Sequence, residues 1–196
     1  MSFTLAGPAT YAEDIRKSRF HCLAAPIASE AEAQAFLAAR RDASAGHNCW
    51  AWKLGAQYRF SDDGEPGGTA GRPILAAIEG QDMDRVVVLV SRWFGGIKLG
   101  TGGLARAYGG CAAKCLQDAA RLELVPSTRL AFACAFAEHA LFKARVLALG
   151  ASIEDEAYGT DGVELRLSLP SAKTEALQRL LSDLSRGRIQ ARSLDD

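Results

Sequence analysis

The 196-residue chain carries 23 Lys plus Arg against 23 Asp plus Glu, so no overall positive field draws it to nucleic acid, and any RNA or ribosome contact must come from a local basic patch. Apolar residues make up 48%, the balance of a foldable globular protein, and the length fits one large domain or two small ones. No window approaches the roughly eighteen apolar residues of a membrane helix, no basic segment followed by an apolar core marks a secretory signal, and five scattered cysteines without a CxxC pair argue against a disulfide framework and a zinc site; a reducing, cytoplasmic setting follows.

In chain order, the first landmark is a strand over Arg19–Ala25. Ser29 then opens a helix as an N-cap, with Glu32 three residues on to complete a capping box. Within that helix Ala33, Phe36, Leu37 and Arg40 share a face. His47–Leu54 (HNCWAWKL) alternates as a strand, and Arg85–Phe94 (RVVVLVSRWF) has the unbroken apolar centre of a strand covered on both faces. A helix is predicted over 102–121, because Leu104, Tyr108, Cys111 and Cys115 recur at helical spacing and form one buried stripe.

Val125-Pro126-Ser127 marks the boundary between two α+β domains, 1–125 and 126–196. In the second, Thr128–Ala137 alternates as a strand and Glu138–Leu149 reads as a helix stopped by Gly150. Strands at Ala151–Tyr158 and Val163–Leu169 follow, then a helix capped by Ser171 and running to Ser185, then a strand at Arg188–Ser193. The order βαββαβ is the split βαβ, or ferredoxin-like, arrangement.

Of 19 glycines, 14 lie from Gly46 to Gly110, and such clustering needs a reason, because glycine weakens the interiors of helices and strands. Two loops carry most of it. In Ser61–Pro73 (SDDGEPGGTAGRP), Asp62, Asp63 and Glu65 surround Gly64, with Thr69 and Arg72 close by. Three carboxylates in four positions can hold a divalent cation, but the favoured reading is a turn whose Asp side chains accept backbone amides, with no metal. The second loop runs from Arg92 to Gly103 (RWFGGIKLGTGG), between a strand and a helix start. Gly100, Thr101, Gly102 and Gly103 would offer amides to an anion, with Arg92, Lys98 and Arg106 adding charge. A tight connection whose glycines permit sharp turning explains the string equally well.

Of the adjacent Trp93 and Phe94, at most one is expected at the surface, since neighbours on a strand face opposite sides. His47 and Cys49 can share a face, yet nothing marks a third group to orient them as a nucleophilic pair. His21 and Cys22 are strand neighbours and face apart.

SDDGEPGGTAGRP, followed by VVVLVSRWFGGIKLGTGGLARAYGG at Val86–Gly110, resembles the IMPACT family, in particular its bacterial YigZ-type members. HNCWAW at His47–Trp52 and KSRF at Lys17–Phe20 resemble that family's characteristic segments as well. The resemblance implies a first domain of the ribosomal-protein-S-five domain-2 type and a second like the ferredoxin-like domain V of elongation factor G. It also implies a link to translation. The expected function is therefore a regulatory protein, not an enzyme, that binds RNA or the ribosome through Arg72, Arg92, Lys98 and Arg106 without a cofactor. An enzyme acting on a phosphorylated small molecule or nucleotide is the alternative, and a protein-binding adaptor is a third reading.

Overall fold

The computed structural model describes residues 2–194. The chain forms two compact units, Met1–Leu124 and Val125–Asp196. It is an α+β protein with antiparallel sheets in each unit.

Unit 1 runs β1 (Ser2–Leu5), β2 (Ala9–Ile15), β3 (Ser18–Pro26), α1 (Glu30–Arg40), β4 (His47–Leu54), β5 (Gln57–Ser61), α2 (Gly71–Gly80), β6 (Val86–Trp93), α3 (Thr101–Gln117) and β7 (Arg121–Leu124). Its main sheet has the order β2-β3-β6-β4-β5, so β6 is central. That position explains its composition: Val86, Val88 and Val90 pack with residues of α2 and α3, while Val87 and Leu89 pack with Ala33 and Leu37 of α1. Leu104, Tyr108, Cys111 and Cys115 are the buried stripe of α3. They join Phe20 and Cys22 of β3 in the larger core.

The two sides of α1 are set by side-chain chemistry. Ser29 Oγ accepts from the Glu32 amide at 3.2 Å, as its N-cap position requires. Glu32 reaches back to the Ala28 amide at 2.7 Å, one residue earlier than a capping box would place it. Ala33 and Leu37 are buried and Arg40 is exposed.

Two expectations change. The helix predicted over 102–121 ends at Gln117, and Arg121–Leu124 becomes β7, paired antiparallel with β1 from Ser2↔Leu124 to Leu5↔Arg121. Its partner lies more than a hundred residues away, so no local pattern announces it. A hairpin also precedes the first expected strand. β2 pairs with β3 through the two-residue turn Arg16-Lys17, both residues at positive φ, 46° and 67°, the geometry that matches strand twist in tight hairpins.

Unit 2 runs β8 (Ser127–Cys134), α4 (Phe136–Ala148), β9 (Ser152–Tyr158), β10 (Val163–Pro170), a short 3-10 turn (Ser171–Lys173), α5 (Thr174–Ser185) and β11 (Arg192–Ser193). The sheet order β11-β8-β10-β9 places β10 between β8 and β9, so two βαβ crossovers interleave. Val163, Leu165, Leu167 and Leu169 alternate into a core with Phe142, Val146, Leu177 and Leu181. Their neighbours Glu164 and Arg166 carry ion pairs instead. Ser171 does not cap α5: its hydroxyl shares a 2.9 Å hydrogen bond with Thr128, and the helix begins at Thr174. The last strand is shorter than expected, because Ile189 is buried in the core and only Arg192 and Ser193 pair with β8. Among the described residues no helix is long and apolar enough to cross a membrane.

Candidate functional site

The loop between β5 and α2 is closed by its own acids. The Asp62 carboxylate accepts from the amides of Gly68, Ala70 and Gly71 at 2.7, 3.0 and 2.8 Å. It therefore occupies the N-terminus of α2 as an internal anion, where free amides and the helix dipole favour negative charge. Partial burial pushes its carboxyl up, but the three amides outweigh that and hold it below the usual carboxylate range. Thr69 donates to the Pro66 carbonyl at 2.6 Å. Asp63, at φ 41° before Gly64 at φ 84°, binds Arg41 at 2.6 Å and the Asn48 amide at 2.6 Å. Glu65 turns inward.

The three carboxylates thus diverge onto separate protein donors. Among the described residues no group of His, Cys, Asp and Glu is placed to hold a metal ion. The loop has the hydrogen bonding of a turn whose acids accept from the protein's own amides and side chains.

Glu65 is 8% exposed and accepts from Arg92 Nη1 at 2.7 Å and from the Tyr108 hydroxyl at 2.7 Å. His47 Nε2 lies 3.9 Å from the same carboxylate, while its Nδ1 is 2.8 Å from the Asp63 carbonyl. Arg92 itself is 6% exposed, and this corrects its expected position on a phosphate-facing edge. On β6 it shares the side of Val86, Val88 and Val90, which faces the core, and the buried Glu65 supplies its counter-charge. Ser18 accepts from Nη2 at 3.4 Å, and the guanidinium carbon lies 5.7 and 5.5 Å from the rings of Phe20 and Phe94. Burial raises the Tyr108 hydroxyl far above its ordinary range, reinforced by Cys49 and Glu65.

Cys49 donates to the Asp62 carbonyl at 3.0 Å. Burial, only partly offset by the nearby Tyr108 hydroxyl, pushes its thiol up to about 12. It stays protonated at neutral pH and lacks the thiolate a nucleophile needs.

The second glycine-rich loop is arranged differently. Gly95 leaves β6 against the β2–β3 turn so closely that a Cβ there would stand 1.8 Å from the Lys17 carbonyl oxygen; only glycine fits. Gly100, at φ 73°, opens α3, and no side chain caps the helix. The amides of Thr101, Gly102 and Gly103 therefore sit in a first turn without an acid of the chain upon it. Arg106 folds back toward this turn, with Nη1 3.7 Å from the position a Gly102 Cβ would take. Arg16 and Arg106 line one cleft of about 230 Å³ with Ile15, Leu99 and Gly103.

Arg16, Lys17, Lys98 and Arg106 are all exposed, and none forms an ion pair with the described residues. Arg16 and Lys17 are additions to the expected set, brought here by the hairpin. Arg72 is exposed at the start of α2, 5.9 Å from the Phe60 ring. It lines a separate cleft of about 460 Å³ with Tyr58, Leu75 and Glu79.

Residues 16–116, which contain the hairpin turn, both loops and α3 up to its last residue but one, match a family model described as the Impact N-terminal domain. The chain belongs to the IMPACT family. Residues 132–188 match a domain of unknown function, DUF1949. An IMPACT family member from Thermus thermophilus is 51% identical over 180 residues, covering 89% of this chain and 97% of that protein. The IMPACT family member YigZ of Escherichia coli K12 is 36% identical, covering 97% of each chain. The IMPACT-family fold is shared along the whole length with a solved structure of a hypothetical protein, at 36% identity and a TM-score of 0.76, covering 100% of this chain and 98% of that one. A shorter stretch matches animal proteins: the mouse protein IMPACT is 34% identical over 95 residues, 43% of this chain and 29% of its own.

Proposed function

We propose that this IMPACT-family chain is a translation-linked regulatory protein that binds RNA or the ribosome through the cations around the start of α3. Kinship with the eukaryotic protein IMPACT fits a regulatory role. One observation carries the binding surface: four exposed cations without ion pairs stand beside a helix N-terminus that no side chain caps. Phosphate oxygens are the natural ligands of such an arrangement. The neutral net charge is no obstacle, because the acids of the neighbouring loop are bound to internal donors and leave the cations of this one uncompensated. Arg72 would extend the contact, and Arg92 would serve from beneath as a support. A role of this kind belongs in the cytoplasm with the ribosomes.

The strand orders support the same reading at the level of architecture. A first unit of the ribosomal-protein-S-five domain-2 type and a ferredoxin-like second unit would be the fold types of domains IV and V of elongation factor G.

Co-sedimentation with ribosomes across a salt series tests the proposal. The wild type is expected to bind at low salt and dissociate steeply as salt rises, and Lys98→Ala/Arg106→Ala to bind weakly throughout. Absence of wild-type binding at low salt would discard it.

An enzyme acting on a phosphorylated small molecule or nucleotide would use the same α3 amides and the cleft beside them. It would also need a base or a metal site nearby. Asp62, Asp63 and Glu65, the carboxylates expected for that task, are engaged by amides, arginines and Tyr108. The binding reading is accordingly preferred. A protein adaptor would be recognised by a complex that survives nuclease treatment.

A further inference from the structure

We infer that the surface at the start of α3 takes unpaired RNA, with Phe94 as the residue on which a base stacks. The inference rests on the RNA reading above and adds the form of nucleic acid and the residue that selects it.

Phe94 is the first residue after β6, and 57% of it is exposed. Trp93, one position earlier, is tied down: its indole donates to Ser44 at 3.0 Å, and Arg19 lies 5.2 Å from its ring. Nothing comparable covers Phe94. Ile97, 41% exposed, is the next large apolar residue of the loop. Gly95 and Gly96 between them carry no side chain to shield the ring, and a Cβ at Gly96 would meet nothing within 4 Å.

What Phe94 does have is a fixed support. The Arg92 guanidinium lies 5.5 Å from its ring and is held by Glu65 at 2.7 Å, which Tyr108 holds in turn. The ring is thus backed by a buried cation that cannot swing away, and its free surface is turned to solvent at the edge of the cation cluster. Gly95 rests on the Lys17 backbone, so the aromatic and the hairpin cations belong to one continuous patch.

An open aromatic among unpaired cations suits a strand whose bases are free to leave one another. Stacking on such a ring tolerates any base, and the cations follow the backbone. In a duplex the bases are already stacked and paired, and the ring would have nothing to receive. Phenylalanine also lacks a hydrogen-bonding group, so little preference among bases is expected. A neutral or basic protein partner would make use of Phe94 and Ile97 but not of four uncompensated cations.

The test measures fluorescence anisotropy of a labelled 12-nucleotide single-stranded RNA and a duplex of equal length. The proteins are wild type, Phe94→Leu, Phe94→Trp and Lys98→Ala/Arg106→Ala, each with its thermal midpoint recorded. Wild type should prefer the single strand. Phe94→Leu should weaken single-strand binding by roughly tenfold with an unchanged salt slope, and Phe94→Trp should restore it. Lys98→Ala/Arg106→Ala should instead reduce the slope by about 1.4, at about 0.7 per charge. Equal binding of single strand and duplex, or Phe94→Leu within twofold of wild type, would overturn this inference and leave the RNA reading standing. Failure of the wild type to bind either RNA or ribosomes would remove both.

Discussion

Both glycine-rich loops of unit 1 lead into a helix, yet they treat that helix's free amides in opposite ways. Before α2, the chain supplies its own anion, Asp62, and consumes Asp63 and Glu65 on Arg41, Arg92, Tyr108 and the Asn48 amide. Before α3 it supplies none: Gly100 cannot cap, and the nearby side chains are Arg16, Lys17, Lys98 and Arg106. The first loop is internally neutralised and serves folding. The second leaves its cations without an acidic partner among the described residues. Glycine content is alike in the two, so function is distinguished by whether the charges are answered within the chain.

The largest effect should come from breaking the buried link between the loops. Glu65→Ala leaves the Arg92 guanidinium desolvated without its carboxylate, and loss of one partner of a buried pair costs about 3–5 kcal/mol. Urea unfolding at neutral pH would show it, and a loss below about 1 kcal/mol would mean that the pair is not closed as described.

Asp62→Ala strips three amides of their acceptor and should cost about 1–2 kcal/mol, the upper range for a helix cap. This contribution has a pH signature. The folded-state carboxyl lies below its ordinary value, so the stabilisation is complete above the unfolded pKa of about 3.9 and fades as pH falls through the folded one. The gap between wild type and variant should therefore be constant from pH 5 to 8 and narrow below about pH 4. A gap that widens in acid would contradict the geometry.

The smallest effect on stability should come from the loop proposed to bind. Lys98→Ala/Arg106→Ala touches exposed cations without partners and should shift stability by no more than about 0.5 kcal/mol. A larger loss would show that these side chains act in folding and would erase the contrast between the loops.

Local patterns made much of this legible. The alternation of β4, the doubly covered apolar run of β6, the cap of α1 and the stripe of α3 depend on neighbours within one element, and so did the whole order of unit 2. What escaped depends on partners far along the chain. α2 has no cap of its own, because Asp62 provides it from eight residues before Ala70. The Arg16-Lys17 turn contains neither Gly nor Asn, so the hairpin carries no turn signal. Arg92 reads as a surface cation between Ser91 and Trp93 until Glu65, 27 residues earlier, is folded against it. The candidate site was therefore half visible: its glycines and Lys98 and Arg106 were, but the burial of Arg92 and the arrival of Arg16 and Lys17 were not.

The pairing of β1 with β7 bears on the order of events during synthesis. The five strands of the main sheet are all in hand once Trp93 has emerged, and the helix that covers them is finished at Gln117. Ser2–Leu5 can already meet Met83 through the Phe3 bridge, but its antiparallel partner Arg121–Leu124 comes later in the chain. Until then Leu5, 1% exposed in the finished fold, lacks its strand partner Arg121. A nascent chain stalled before residue 121 would therefore carry Leu5 without the strand that pairs with it.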